Sequence, residues 1–133
     1  MFFMYEEITR NIRVAVEPHF LEDQSVPAEI RYVWAYKVTI ENRGGEPVQL
    51  ISRLWKITDS HGRTREVSGP GVIGEQPTIA PGNSFHYTSG VPLETPSGLM
   101  TGSYKMRSST GESFDIGIPL FALESPYESR QIH

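Results

Sequence analysis

The segment from Arg31 to Asn42 reads RYVWAYKVTIEN, and it decides the fold class. Apolar side chains recur at every second position: Tyr32, Trp34, Tyr36, Val38 and Ile40. Side chains of a strand point alternately to its two faces, and aromatic and β-branched residues favour strands. The segment therefore predicts a β-strand with one buried face.

The alternation of apolar and polar side chains continues in the segments on both sides of this strand. A Gly44-Gly45 pair follows it and predicts a hairpin turn. In the next segment, 47–58, the apolar residues change parity, which indicates a bulge near Ser52-Arg53 or burial on both faces. The short segment 63–67 is mostly polar and is predicted to lie at a sheet edge. The whole pattern predicts an all-β, antiparallel sandwich of seven or eight strands, of the immunoglobulin or fibronectin type III kind.

Length and composition limit what the chain can be. Its 133 residues are expected to form one domain, 1–133, with loose ends at about 1–10 and 124–133. The net charge of -4 argues against nucleic-acid binding by phosphate neutralisation. Cysteine is absent, which excludes disulfides and thiol nucleophiles. Without a signal-like start or a long apolar run, we expect no membrane insertion and a cytoplasmic location.

A glycine-rich loop follows the polar strand. Gly69, Gly71 and Gly74 fit the G-x-G-x-x-G spacing of dinucleotide-binding folds. The prolines at 77 and 81 leave no room for the helix that such a fold requires. Two interpretations remain: a loop whose backbone N–H groups bind a small phosphate ligand, or a structural connection in which at least one glycine has a positive φ.

Several spaced motifs resemble one family of proteins. The first is LWKITD at residues 54–59, with Gly62 after it. The second is VSGPGVIGEQP at 67–77, followed by Pro81-Gly82, and the third is FHYTS at 85–89. In order and spacing, from about Val14 to Leu123, the sequence resembles the bacterial ApaG proteins.

This resemblance implies a fibronectin type III-like sandwich without an established enzymatic activity. It also implies a genetic link to cobalt tolerance and magnesium efflux. Related eukaryotic domains occur in an F-box substrate receptor and in a protein that binds a DNA polymerase subunit, contexts that point to protein interaction.

No metal or catalytic motif stands out in the sequence. The four histidines, His19, His61, His86 and His133, are too far apart along the chain for a local metal site. Acidic residues such as Asp59 are explained more simply by turns, and no serine lies in a nucleophile elbow. We therefore expect no enzyme, no catalytic residue, no metal and no cofactor.

The aromatic residues offer one candidate binding surface. Arg53, Trp55 and Arg65 would form an interaction patch if Trp55 faced outward, and the alternative is a core position for Trp55. The sequence thus favours a non-enzymatic protein that binds an unidentified protein partner, with binding of a nucleotide or pyrophosphate at 69–74 as the alternative. It leaves monomer and homodimer open, since a free edge strand can pair with a second copy.

Overall fold

A computed structural model describes residues 4–128, and these form nine β-strands. Residues 22–24 and 27–29 form single turns of 3₁₀ helix, and the described part of the chain contains no α-helix. The strands are β1 (Tyr5–Thr9), β2 (Ile12–Phe20), β3 (Tyr32–Asn42), β4 (Val48–Asp59), β5 (Thr64–Pro70), β6 (Thr78–Ile79), β7 (Ser84–Leu93), β8 (Gly98–Ser108) and β9 (Ser113–Leu123).

The strands build two antiparallel sheets that pack face to face. The first sheet has the order β1-β2-β3-β7. The second has the order β5-β4-β8-β9, and the short β6 also pairs with β4. This confirms the predicted antiparallel β-sandwich, although the structure has nine strands rather than seven or eight because β1 and β6 were not expected.

The core lies between the two sheets. The strand β3 supplies one side of it, and its residues Trp34, Tyr36, Val38 and Ile40 are all buried, as the alternation predicted. The facing sheet contributes Trp55 and, among other residues, the fully buried Tyr104, Met106 and Phe121. Burial of such large apolar side chains is the main stabilising contribution in a sandwich.

A bulge in β4 accounts for the change of parity. The register between β4 and β8 shifts between Leu50 and Ser52, close to the predicted position. One extra residue at a bulge reverses which side chains face the core. Leu50 is therefore buried before the bulge, and Trp55 and Ile57 are buried after it.

The described parts of the two segments predicted as loose ends, about 1–10 and 124–133, contact the rest of the fold. Residues 5–9 form β1, which pairs with β2, because the hairpin at Arg10-Asn11 brings this polar segment back onto the sheet. At the other end, Tyr127 contacts the rings of Phe20 and Tyr32. Residues 129–133 lie outside the described residues. None of the described helices is long and apolar enough to cross a membrane.

Candidate functional site

One side of the sandwich is closed and the other is open. On the closed side, β1 and β2 pack against β9. On the other side, β5 and β7 are the last strands of their sheets. The guanidinium of Arg65 on β5 donates a hydrogen bond of 3.1 Å to the carbonyl of Pro92 on β7 and so links the two strands. We call this side, bounded by β5 and β7, the open edge.

The backbone of β5 presents unpaired groups at the open edge. Hydrogen bonds just outside the strand, Asp59 N to Arg63 O and Gly71 N to Ile51 O, fix which residues bond to β4. Hydrogen-bonded pairs recur at every second residue of an antiparallel ladder. The odd-numbered residues of β5 therefore bond to β4, and the N–H and C=O groups of Thr64, Glu66 and Ser68 face away from it. The backbone of Pro70 also faces away from β4, so the ladder between β4 and β5 loses no hydrogen bond through the missing N–H of this proline.

The inward side of β5 is only partly covered. Every second residue of β5 lies opposite a residue of β4 that faces the space between the sheets. The pairs are Arg65 with Ile57, Val67 with Trp55, and Gly69 with Arg53. Val67 is nevertheless 39% exposed, although it points toward the space between the sheets. The open edge therefore combines unpaired backbone groups with accessible apolar surface.

A groove of about 450 Å³ lies at the beginning of β5. Its lining combines three apolar residues (Ile30, Ile57, Leu93), three arginines (Arg31, Arg63, Arg65) and three acidic residues (Glu29, Asp59, Glu94), together with Thr64 and Pro92. No sequence pattern predicts this groove, because its residues come from three distant parts of the chain.

Asp59 has a structural role in the groove. Its carboxylate accepts hydrogen bonds from the backbone N–H groups of His61 and Arg63 and from the Arg63 side chain at 2.8 Å. Desolvation would raise the pKa of Asp59, but these hydrogen bonds together outweigh it and hold the pKa below its ordinary value. This confirms the prediction that Asp59 caps a turn.

Ile30 is the least expected residue of the groove. It ends the 3₁₀ turn with a φ of 56°, in the left-handed region, and it is 61% exposed. This conformation is strained for a β-branched residue, and Gly or Asn would adopt it more easily.

The glycine-rich loop forms a tight hairpin. Val72 and Glu75 exchange backbone hydrogen bonds of 2.9 and 2.8 Å, with Ile73 and Gly74 between them, both at positive φ. Gly71 also has a positive φ, 63°, whereas Gly69 does not. The prediction that at least one of these glycines has a positive φ is confirmed.

Most amides of this loop already have acceptors. The N–H of Gly71 donates to the carbonyl oxygen of Ile51. The N–H groups of Val72 and Glu75 each donate to the other residue's carbonyl oxygen. A phosphate would have to use the N–H groups of Ile73 and Gly74 at the tip. Phosphate binding by the loop stays a prediction, and these two amides are where it is testable.

The proposed patch of Arg53, Trp55 and Arg65 is wrong as a surface patch, because Trp55 is 3% exposed. Its ring lies 5.1 Å from that of Tyr36, in the core. The bulge in β4 turns Trp55 inward, and Arg53, two residues before it, shares that face. Of the three residues, Arg53 and Arg65 reach the open edge through their guanidinium groups.

Arg53 ties the glycine-rich loop to the sheet. Its Nη1 donates to the carbonyl oxygens of Pro70 at 3.1 Å and Gly71 at 2.9 Å. The guanidinium also lies 3.3 Å from where a Cβ of Gly69 would be. The side chain therefore fixes the point where β5 ends and the hairpin begins.

A pair of buried tyrosines lies beneath this region. The hydroxyl groups of Tyr87 and Tyr104 form a hydrogen bond of 2.6 Å. Burial raises the pKa of both residues well above the ordinary value, and it also raises the pKa of Tyr36. All three phenols therefore stay neutral at physiological pH and act as packing and hydrogen-bonding groups.

The sequence predicts no metal site, and the side chains that could form one are the acidic residues and the histidines. Within residues 4–128, the structure brings no three such side chains into a metal-binding arrangement. His86 instead lies 3.0 Å from the hydroxyl of Thr39, and His19 lies 3.9 Å from Glu17. His133 lies outside the described residues.

Comparison with known proteins identifies relatives that share nearly the whole chain. The family model described as ApaG domain matches residues 22–108. Protein ApaG of Mesorhizobium japonicum is 56% identical over 130 residues, which cover 98% of this chain and 100% of that protein. Protein ApaG of Rhodospirillum centenum is 58% identical over 124 residues, or 93% and 95% of the two chains.

A solved structure agrees with these matches. The crystal structure of the putative ApaA protein from Bordetella pertussis superposes with a TM-score of 0.85 and 44% sequence identity, over 92% of this chain and 97% of that one. The sandwich, the family model and the full-length relatives lead to the same conclusion: the chain belongs to the ApaG family.

Proposed function

We propose that this protein is a non-enzymatic binding protein whose open edge receives an extended segment of a partner protein. The observation that supports this most strongly is the unpaired outer side of β5. Its seven residues are exposed or nearly so, and three of them direct both N–H and C=O groups away from β4. An extended peptide can add to such an edge through backbone hydrogen bonds.

The groove at the beginning of β5 adds side-chain contacts to this backbone recognition. Its apolar residues Ile30, Ile57 and Leu93 offer a place for an apolar side chain of the partner. The guanidinium of Arg65 uses one donor on Pro92 O, and its remaining donors are available to a partner's carbonyl or carboxylate groups. Backbone pairing would supply affinity and the groove would supply specificity.

The family resemblance links such a protein to cobalt tolerance and magnesium efflux. In our proposal the effect on divalent cations is indirect: the protein acts on cation handling through its partner, in the cytoplasm. A reducing compartment suits a chain that contains no cysteine.

The glycine-rich loop remains the site of the alternative function, binding of a phosphate-bearing small molecule. Gly69, Gly71 and Gly74 would then serve recognition as well as turn geometry. The engaged amides of Gly71, Val72 and Glu75 favour the structural role, so we place protein binding first.

The test compares two variants in affinity capture from cells grown with and without cobalt. Glu66→Pro removes one outward N–H of β5 but no hydrogen bond to β4, so the fold is expected to survive. Lys37→Ala, on the exposed outer face of β3, is the control. We expect a saturable partner that binds the wild type and Lys37→Ala but not a folded Glu66→Pro variant. Failure to find a saturable partner, or equal capture by Glu66→Pro, would contradict the proposal.

A further inference from the structure

The outer side of β5 is complementary to itself. We propose that two copies of this chain pair antiparallel through β5 when no partner is bound, with Val67 of one copy opposite Val67 of the other. This inference rests on the proposed role of the open edge in binding, and it identifies a second copy as one occupant of that edge.

The hydrogen-bonding groups fit this register. It places Glu66 opposite Ser68 of the second copy and Thr64 opposite Pro70. These are the residues whose backbone groups face away from β4, so they form the hydrogen-bonded pairs of the new ladder. Every outward N–H of β5 then meets a carbonyl. Pro70 lacks an N–H, and its carbonyl, which already accepts one hydrogen bond from Arg53 Nη1, would accept a second from Thr64.

The charges disfavour the registers centred on Glu66 and on Arg65. Pairing centred on Glu66 would place two carboxylates directly opposite each other, and pairing centred on Arg65 would do the same with two guanidinium groups. Like charges in directly opposed positions destabilise a strand pair. Centred on Val67, the ladder sets Glu66 against a serine hydroxyl and Arg65 against Gly69.

The inward side chains are compatible with the same arrangement. The two Val67 side chains would meet in a non-hydrogen-bonded pair, where opposed side chains approach most closely, and each would cover the other's exposed surface. Arg65 directs its guanidinium to Pro92 O of its own chain, so that its aliphatic part lies across from Gly69.

The resulting dimer is expected to be weak and reversible. Its interface is a single strand of seven residues, much smaller than that of a stable dimer. Self-pairing would hide the outward N–H groups of β5 until a partner with a larger contact surface displaces the second copy. The dimer would thus compete with partner binding.

Sedimentation velocity of the full chain over a range of concentrations tests this register directly. Ser68→Glu places a carboxylate opposite Glu66 of the second copy and should weaken dimerisation about fivefold, whereas Ser68→Lys should strengthen it by a similar factor. The double variant Glu66→Lys/Ser68→Glu again sets a positive side chain opposite a negative one and should dimerise about as strongly as Ser68→Lys. Ser113→Glu, on β9, is the control and should change nothing.

Hydrogen exchange supplies a second measurement at residue level. The amides of Thr64, Glu66 and Ser68 should become protected as the concentration rises, whereas those of Arg65 and Val67 should be protected throughout. A chain that stays monomeric up to millimolar concentration, or variants at Ser68 that shift dimerisation in the same direction, would overturn the proposal.

The outcomes separate self-pairing from the proposed function. A monomeric protein whose partner capture is lost in Glu66→Pro would refute the dimer and leave partner binding in place. A dimer that responds to the Ser68 charges without any saturable partner would establish self-pairing and refute partner binding.

Discussion

Replacing the three loop glycines by alanine, one at a time, should produce three different losses of stability. At Gly71 the new Cβ would lie 2.3 Å from the carbonyl oxygen of Glu75, and the residue has a φ of 63°. At Gly74 the φ is 80°, but no atom lies within 4 Å of the new Cβ. At Gly69 the φ is not in the left-handed region, and the nearest atoms belong to the movable end of Arg53.

The magnitudes follow from what must move. Relief of the contact at Gly71 requires the hairpin to open by about 1 Å, since ordinary contacts begin near 3.4 Å. This breaks the reciprocal hydrogen bonds of Val72 and Glu75, which contribute about 1 kcal/mol each, and backbone strain adds about another 1 kcal/mol. We therefore expect a loss of about 3 kcal/mol for Gly71→Ala. Gly74→Ala carries the strain alone, about 1 kcal/mol, and Gly69→Ala should be close to neutral.

Urea unfolding of the purified variants measures these differences in the free energy of unfolding. Thermal melting ranks the three variants independently. For a domain of this size, 1 kcal/mol corresponds to a change in Tm of roughly 4 °C. A larger loss for Gly74→Ala than for Gly71→Ala would contradict the reasoning from the Glu75 contact. Three variants with wild-type stability that no longer support cobalt tolerance in cells would refute the structural role and favour a ligand-binding loop.

Four further outcomes are expected. Tyr87→Phe and Tyr104→Phe should each cost about 1–2 kcal/mol in urea unfolding, and the double variant should cost less than their sum, because each single change leaves one buried hydroxyl without its partner. The free energy of unfolding should fall as the pH rises above about 10, because the tyrosines of the unfolded chain ionise there while the raised pKa keeps buried Tyr87 protonated. One tyrosine contributes a slope of up to about 1.4 kcal/mol per pH unit. The fall in stability with pH should therefore be shallower in Tyr87→Phe. Ile73→Asn should stabilise the protein by about 1 kcal/mol in thermal melts, because Asn tolerates the left-handed conformation that this exposed residue adopts. Millimolar pyrophosphate should leave the NMR amide signals of Ile73 and Gly74 unchanged, and a saturable shift of either signal would establish the phosphate alternative.

The sandwich was predictable because its strands carry local signals. The alternation in β3 and the change of parity in β4 both come from the side-chain period of a strand, which residue order alone reveals. The strand β1 was not predictable in this way. Its sequence, YEEIT, has a single strongly apolar β-branched residue, Ile8, which is exposed. The strand forms because it pairs with β2 and packs against β9, where Tyr5 contacts the ring of Phe121.

The candidate site was predictable only in part. The polar sequence of β5 indicated an edge strand correctly, because an edge strand needs few apolar residues. The orientation of Trp55 depended on the exact position of the bulge, which the sequence placed only approximately. The groove could not be predicted from the sequence, since residues 30, 57 and 93 meet only after both sheets have formed.

Two strained residues are consistent with the proposed binding role of the open edge. Arg53 and Gly71 hold the base of the hairpin onto the core, so these two residues have a sufficient structural explanation. Ile30 and Ile73 have none: each is an exposed β-branched residue at positive φ, where Gly or Asn would fold at lower cost. Ile30 lines the groove at the beginning of β5, and Ile73 lies three residues beyond the end of this strand, which is about 20 Å long at about 3.3 Å per residue. A bound strand of the same length as β5 would extend from one isoleucine to the other, so apolar contacts at both ends of that strand would compensate for the strain.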